Sequence, residues 1–209
     1  QNGTVSLDFS RTDDQARGAV NFIMHDSVPK FMYGLYLTAG DPTILLNHGF
    51  ARAIDEVITQ PGSLVDPIAP APLGMRSNTM LRVNNCVFGT LALATDGQTN
   101  AASSVYVIYM LRSLNRQSGD YTLCIEGLGV GFGARPFADG PDAIYYVAQK
   151  NYPVEFAEME FGVRIERYSI HHDSGGPGRY RGGCGIVRDV RIIADEGILA
   201  SRLENVLFP

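Results

Sequence analysis

The amino-acid sequence predicts a single mixed α+β unit. Several segments alternate apolar and polar residues as half-buried strands do, and others repeat apolar residues at the three-to-four spacing of a helix. No internal repeat, low-complexity tract or linker divides the 209 residues. A chain of this length buries one good core or two small ones, so we expect one domain or two intimately packed lobes.

The N-terminal half is predicted to contain two strands and a long helix. Residues 4–10 alternate as a strand does, residues 13–21 are polar and loop-like, and residues 51–59 form a second strand. Residues 31–38 suit a buried helix and a buried strand equally. The clearest helix covers residues 77–95, because its apolar residues keep helical spacing throughout.

Local signals refine this half of the prediction. Ser77 or Asn78 is suited to cap the long helix, since both side chains accept hydrogen bonds from a first-turn amide. Residues 47–49 are typical of a turn. Three prolines between residues 66 and 72 require an extended backbone that donates few amide hydrogen bonds.

The C-terminal half is predicted to contain a helix and three strands. The helix begins near Pro153, because proline suits the first helical turn. Two strands are predicted at residues 185–193 and 198–203. Residues 163–170 alternate strictly, and one slip in the alternation keeps four side chains inward: Val163, Ile165, Tyr168 and Ile170.

Composition excludes several classes of protein. The formal net charge is −5, so the sequence lacks the basic footprint of a nucleic-acid protein. No apolar run approaches the ~18 residues of a membrane helix. Cys86, Cys124 and Cys184 are odd in number and widely spaced, which predicts reduced and mostly packed thiols in a cytosolic protein. Fifteen of the 17 basic residues are arginines, which favours ordered ion pairs and subunit contacts.

A glycine-rich segment, residues 171–185, is the most unusual stretch of the sequence. It lacks the Lys-Ser/Thr ending of a phosphate loop and leads from strand to strand, so it is a poor nucleotide site. His171, His172 and Asp173 are metal-capable, but neighbours in an extended chain point to opposite faces, so at most one histidine and the aspartate would bind one ion. Ser174 stands beside an aspartate and a histidine, which suggests a catalytic triad, but a triad is recognised only from the geometry of its three side chains. We favour a structural or interfacial role for this loop.

A second glycine cluster covers residues 127–133 and is followed by Arg135. Its Gly-x-Gly spacing has no helix signature behind it, so a dinucleotide site is disfavoured. Alternating glycines allow a substrate or another backbone to approach a strand closely, and we favour the backbone.

Polar loop residues complete the list of candidates. His48 is suited to shuttle protons near neutral pH or to bond locally, and Arg76 to contact an anion or form a salt bridge. His25 beside Asp26 has the same two alternatives. We expect substrate or subunit contacts among seven residues: Asn47, His48, Arg76, Arg135, Asp173, Arg179 and Arg181.

Taken in order, the segments resemble the hydantoinase B / 5-oxoprolinase family, which includes the large subunits of ATP-dependent acetone and acetophenone carboxylases. The resemblance extends over nearly all 209 residues. The most specific block is Asp173-Ser-Gly-Gly-Pro-Gly-Arg-Tyr-Arg-Gly-Gly183. The other matching blocks are residues 5–10, 45–52, 60–67, 69–72 with Arg76, 131–135, 138–140, 153–155 and 166–168.

The sequence also departs from this family. Family chains are longer, and their metal-binding His and Asp residues lie in an N-terminal region with no counterpart here, so no metal ligand is carried over. The 209 residues stop at Pro209, short of the glycine-rich tail that usually follows in the family. Members usually carry Asp where His48 stands and Gly where Arg11 stands. The resemblance therefore implies that residues 1–209 are the middle-to-C-terminal part of such a subunit, as a fragment, a split subunit or a partial chain.

The resemblance implies mainly antiparallel sheets with a few packed helices, in a larger cytoplasmic multi-subunit assembly. It implies that an actin-like, hydantoinase-A-type partner binds ATP-Mg, and that a divalent metal lies in the family's N-terminal region. ATP would phosphorylate a substrate oxygen, after which the enzyme opens a cyclic amide (hydantoin or oxoproline type) or carboxylates a ketone (acetone or acetophenone type). The alternative is a non-catalytic assembly lobe, in which residues 127–135 and 173–185 bind neighbouring subunits.

Overall fold

The computed structural model divides the chain into two compact units, Gln1–Asn100 and Ala101–Pro209. It describes residues 5–39, 43, 45, 47–103, 107–115, 118–145 and 150–202. Helices alternate with short sheets whose strand pairs are mainly antiparallel, which confirms the expected α+β class. The outermost residues of two predicted strands, Thr4 and Leu203, lie outside the described residues.

The N-terminal unit contains two strands and two helices. Strand β1 (Val5–Asp8) pairs in parallel with β2 (Ile54–Ile58), and helix α1 (Ser27–Ala39) contacts α2 (Arg76–Ala94). Helix α1 resolves the ambiguous apolar segment: the chain is helical there for 13 residues, longer than a typical strand. The turn predicted at residues 47–49 begins a 3₁₀ helix, His48–Ala53.

The predicted cap of helix α2 is wrong. The cap position is occupied by Met75, which makes no side-chain cap bond, and the helix begins at Arg76. Longer-range bonds hold this end instead, since the Met75 amide donates to the Ala19 carbonyl at 2.7 Å. The Thr79 hydroxyl donates to the Val20 carbonyl in the same way, at 2.5 Å. Contacts with a distant segment therefore replace the local cap.

The C-terminal unit contains five strands and one helix, and its strands form a three-stranded sheet of order β4-β3-β7 and a two-stranded sheet β5-β6. Strands that neighbour each other in either sheet are antiparallel. The elements are β3 (Val107–Leu114), β4 (Tyr121–Leu128), α3 (Val154–Glu160), β5 (Val163–Ile170), β6 (Ile186–Ile192) and β7 (Gly197–Arg202).

The core of this unit lies between the two sheets. Tyr109, Leu111, Cys124 and Val163 form a buried cluster on β3, β4 and β5. The register of β5 on β6 shifts between Ile165 and Arg167, which confirms the predicted slip in the alternation. The inward position predicted for Tyr168 is only partly realised, because this residue stays 44% exposed.

The three cysteines are free thiols. Cys124 is buried in the core, Cys184 is partly exposed, and Cys86 is exposed on α2, so the expected packing is wrong for Cys86. Among the described helices, none is both long and apolar enough to cross a membrane.

Candidate functional site

The N-terminal unit contains three of the seven candidate residues, and all are exposed. The Asn47 side chain caps the 3₁₀ helix by accepting a hydrogen bond from the Gly49 amide at 2.7 Å. His48 is the first residue of that helix, and Arg76 is the first residue of α2. Asn47 therefore has a local structural role, whereas His48 and Arg76 present their side chains to the surface of this unit.

The other four candidates lie where two segments of the C-terminal unit meet, residues 129–144 and 173–185, which we call the glycine junction. Four backbone bonds of 2.8–3.1 Å tie these segments together. The bonds run from the Gly140 amide to the Arg181 carbonyl, from Gly183 to Phe132, from Phe132 to Pro141 and from Ala143 to Cys184. The two glycine-rich stretches that the sequence singles out are thus parts of one structure.

The glycines of this junction are required by close backbone packing. A Cβ atom on Gly131 would lie 1.9 Å from the Gly183 carbonyl oxygen, and one on Gly183 would lie 1.9 Å from the Pro141 carbonyl oxygen. A Cβ atom on Gly140 would lie 2.0 Å from the Phe132 carbonyl oxygen. Backbone atoms cannot move aside as the end of a side chain can, so these positions exclude every residue but glycine.

Arg181 joins the junction through two carboxylates. Its Nη1 and Nη2 atoms lie 2.9 and 3.3 Å from the two carboxylate oxygens of Asp142, and its amide donates to Asp139 at 2.9 Å. Asp142 also accepts a bond from the Cys184 amide at 2.7 Å. The Arg181 guanidinium and the Cys184 amide lower the pKa of the Asp142 carboxyl to about 2. This paired arrangement links residues 181–184 to Asp142 across the junction.

The remaining candidates at the junction differ in how they are held. Arg135 donates from Nη2 to the Asp139 carbonyl at 2.9 Å and stacks on Phe137, with 5.4 Å between guanidinium carbon and ring centre. Arg179 lies 5.5 Å from the Tyr180 ring centre and is exposed. Asp173 is exposed and has a φ of 60°, the left-handed region that aspartate tolerates better than most residues. Arg179 and Asp173 are therefore two exposed groups of the junction.

We expect the Asp142 carboxyl to titrate near pH 2 in the folded chain. Because the folded pKa lies below the ordinary value of about 3.9, the Asp142 contacts stabilise the fold fully above that value and are lost as the pH falls toward 2. A ¹³C NMR titration of the carboxyl carbon measures this midpoint. In Arg181→Met, the midpoint should rise toward the ordinary value, and an unchanged midpoint would contradict the assignment.

The C-terminal unit also contains a buried polar cluster that no pattern in the sequence indicates. Glu126 on β4 and Arg188 on β6 have side chains that are 2% and 1% exposed, and Arg188 Nη1 lies 2.9 Å from Glu126 Oε1. Oε1 also accepts bonds from Asn151 Nδ2 at 2.7 Å and from the Tyr152 amide at 2.9 Å. Oε2 accepts from the Tyr109 hydroxyl at 2.6 Å. This carboxylate is thus surrounded by donors.

These contacts determine the charge states in the cluster. Burial acts to raise the pKa of the Glu126 carboxyl, but bonds from Tyr109, Asn151 and Arg188 outweigh it and leave the pKa below its usual value. Burial and the bond to Glu126 raise the pKa of Tyr109. The Arg188 guanidinium stacks 5.0 Å from the Tyr168 ring centre, and its Nε and Nη2 atoms have no acceptor in the described part of the chain. The cluster is a charged, ordered core element rather than an open pocket.

The described residues do not fit a metal ion. No group of three or more His, Cys, Asp or Glu side chains among them is placed to hold one. His171 and His172 lie beside the junction, but they do not complete a ligand set with Asp173 within the described ranges. We therefore derive no catalytic step through a metal on these residues.

Comparisons with known proteins place this sequence in context. The family model for hydantoinase B/oxoprolinase matches residues 1–209. An uncharacterized protein of Methanocaldococcus jannaschii is 30% identical over 211 residues, covering 98% of this chain and 36% of that protein. A protein of Pseudomonas sp. (strain NS671), provisionally named as the B component of a D-/L-hydantoinase, is 31% identical over 152 residues. The match covers 71% of this chain and 25% of that protein. The chain thus spans about a third or less of these relatives.

Two solved structures share the fold. A nucleotide-free structure of acetone carboxylase aligns with a TM-score of 0.68 at 21% identity, covering 94% of this chain and 27% of that chain. An ATP-dependent caprolactamase from Pseudomonas jessenii aligns with a TM-score of 0.68 at 22% identity. The alignment covers 87% of this chain and 33% of the caprolactamase chain. At these identities the likeness concerns the fold alone.

Proposed function

Because the chain belongs to the hydantoinase B/oxoprolinase family, we propose that it is part of a subunit of an ATP-dependent enzyme that hydrolyses a cyclic amide. The family match over residues 1–209 carries this proposal. A ring-opening reaction is preferred because the named relative with 31% identity is a hydantoinase component. The activity belongs to the whole protein, because these two relatives are about three times as long as this chain.

The proposed chemistry begins with transfer of the ATP γ-phosphoryl group to the amide oxygen of the substrate. Water then adds to the activated carbon, the ring C–N bond breaks, and the nitrogen takes a proton to leave as an amine. A second water attacks the resulting acyl phosphate at carbon and releases inorganic phosphate and a carboxylate. Phosphorylation makes the amide carbon more electrophilic toward water, and in the second step phosphate is a far better leaving group than an unmodified oxygen would be. The free energy of ATP hydrolysis drives the overall reaction.

ATP binding is assigned to a companion subunit in this proposal. The sequence has no phosphate loop ending in Lys-Ser/Thr, and its glycine-rich segments pack against each other instead of opening toward a ligand. The companion would be the actin-like, hydantoinase-A-type subunit that the family resemblance implies. A divalent metal would be held by the part of the protein outside these residues, since the described ones offer no ligand set.

The role proposed for this chain is to provide a rigid frame and a few accessible polar groups. Glycine packing and the Arg181–Asp142 pair fix the junction. The exposed side chains of Asp173 and Arg179 lie on it and are proposed to contact substrate or a neighbouring subunit. In the N-terminal unit, His48 and Arg76 are proposed for the same purpose.

The test is ATP turnover by the assembled enzyme. The complete polypeptide that carries this sequence is purified with its companion subunit and assayed for ADP release with hydantoin, 5-oxoproline or caprolactam. We expect a cyclic amide to stimulate ADP release at least tenfold, with one ring-opened product formed per ADP. Assembled enzyme that shows no stimulation by any cyclic amide or ketone would overturn the proposal.

Ketone carboxylation is the second candidate, because the family that the sequence resembles also includes ATP-dependent ketone carboxylases, and acetone carboxylase shares the fold. The same assay distinguishes it, because ADP release would then require a ketone and bicarbonate together. A non-catalytic assembly lobe remains the alternative for this part of the protein. It predicts that Asp173→Ala or Arg181→Ala breaks the complex, whereas a substrate-contacting role predicts slower turnover in an intact complex.

A further inference from the structure

Among the described residues, the outer face of the β4-β3-β7 sheet is apolar and largely exposed, although Ile108 at one end of it is buried. Cross-strand partners share one face of a sheet, and on this side Leu123, Arg112 and Ile198 stand in one row. Ile125, Met110 and Ala200 form the next row. The opposite side of the same sheet holds Leu111 and Cys124 and packs in the core. We call this outer side the β4-β3-β7 face.

The exposure of this face is unusual for a sheet. Tyr121, Leu123 and Ile125 are 47%, 57% and 49% exposed, and Ile198 is 67% exposed. An antiparallel sheet that faces water normally carries polar residues at such positions. Contiguous exposed apolar side chains on a folded chain mark interaction sites, whereas scattered ones need no explanation.

Arg112 lies between Leu123 and Ile198 in the first of these rows. Its guanidinium carbon stacks 4.1 Å from the centre of the Tyr121 ring, which orients the charge. The Tyr121 hydroxyl donates to Glu196 Oε2 at 2.6 Å, and this bond fixes the ring. Within the described residues, Arg112 has no carboxylate partner, whereas Arg181 of the glycine junction is paired with Asp142 and Arg135 is bonded to the Asp139 carbonyl. Arginine and tyrosine amid apolar side chains is the composition of a binding hot spot.

We infer that the β4-β3-β7 face is the docking surface for the companion subunit of the proposed enzyme, through an apolar patch that places a carboxylate opposite Arg112. This inference rests on the proposed function for the existence of that subunit. Charge complementarity supports it, since the described chain offers one oriented cation without an ion-pair partner inside an apolar surround. A lone arginine in a chain of net charge −5 suits neither a membrane surface nor a nucleic acid.

The experiment measures assembly directly. The complete polypeptide carrying Leu123→Lys or Arg112→Glu is titrated with the companion subunit, and binding is followed by calorimetry and native mass spectrometry. We expect each variant to weaken binding at least tenfold, with an unchanged circular dichroism spectrum. Met159→Lys is the matched control, because Met159 is 78% exposed on α3 and lies outside the face. It should bind as the wild type does.

Several outcomes would overturn the inference. One is wild-type binding by both face variants, and another is the lack of any complex with the wild type. A third is a wild-type homodimer that the variants dissolve while companion binding stays unchanged, which would make a second copy the occupant. Carbene footprinting that finds the face already protected in the isolated polypeptide would assign it to that polypeptide. A complex that the variants weaken but that shows no substrate-stimulated ATP turnover supports the docking surface and counts against the proposed function alone.

Discussion

Replacing Glu126 by leucine should destabilise the C-terminal unit by about 3–5 kcal/mol, because it leaves the Arg188 guanidinium buried without its counter-ion. The same change removes the acceptor for Tyr109, Asn151 and the Tyr152 amide. Native-state hydrogen exchange of the β3 and β4 amides measures the effect in this unit alone, which matters because the chain has two compact units.

An exposed ion pair in the same unit gives the matched control. Glu166 and Arg191 are paired at 3.0 Å across β5 and β6, with side chains 40% and 68% exposed. Glu166→Leu should cost less than about 1 kcal/mol, since solvent screens such pairs. The double variant Glu126→Leu/Arg188→Met should recover part of the lost stability, because it removes the uncompensated charge. Equal losses for Glu126→Leu and Glu166→Leu would contradict a structural role for the buried cluster.

Gly183→Ala should prevent the glycine junction from forming. The added Cβ would lie 1.9 Å from the Pro141 carbonyl oxygen and 3.0 Å from the Phe132 amide nitrogen, so at least one backbone segment must move. Displacing packed backbone costs more than the ~1–3 kcal/mol of overpacking a side chain in a core. The measurement is hydrogen exchange of the Gly140 and Gly183 amides, which bond to Arg181 and Phe132 and should lose their protection.

Gly176→Ala is the control for this substitution. Gly176 belongs to the same loop, but a Cβ there would meet nothing within 4 Å. We expect that variant to keep the protection of both amides and to change stability by less than about 1 kcal/mol. If Gly183→Ala behaved like Gly176→Ala, the close packing of the junction would be disproved.

The sequence predicts those helices and strands whose apolar spacing is recognisable within one continuous segment. Strand β5 has the predicted bounds, Val163–Ile170, because strict alternation with one slip leaves a single register. Helix α2 is predicted within one residue at each end from its apolar spacing. Strand β3 is missed because both of its sides carry apolar residues, so alternation is absent there. Strand β4 is missed although Tyr121, Leu123 and Ile125 alternate along it, and its alternation places these apolar residues on the exposed face.

The candidate site depends on contacts between segments that are distant in the sequence, and the sequence does not predict these contacts. The sequence favours close packing for both glycine clusters, and the junction has that packing, but nothing local identifies the contacting segments. Asp142 and Arg181 are 39 residues apart in the chain. Glu126 carries no signal in the sequence, since its burial and its bond to Arg188 depend on a strand pairing that was not predicted. Whether the seven candidate residues contact substrate or subunits stays a prediction.

The central claim is that ATP activates a cyclic amide by phosphorylating its oxygen, and an isotope-transfer measurement tests it most directly. The assembled enzyme turns over a cyclic amide labelled with ¹⁸O at the ring carbonyl, and the inorganic phosphate is analysed by ³¹P NMR or mass spectrometry. The account predicts one ¹⁸O atom in each phosphate released during ring opening. Ring opening coupled to ATP hydrolysis with unlabelled phosphate, and all of the label kept in the product carboxylate, would contradict it.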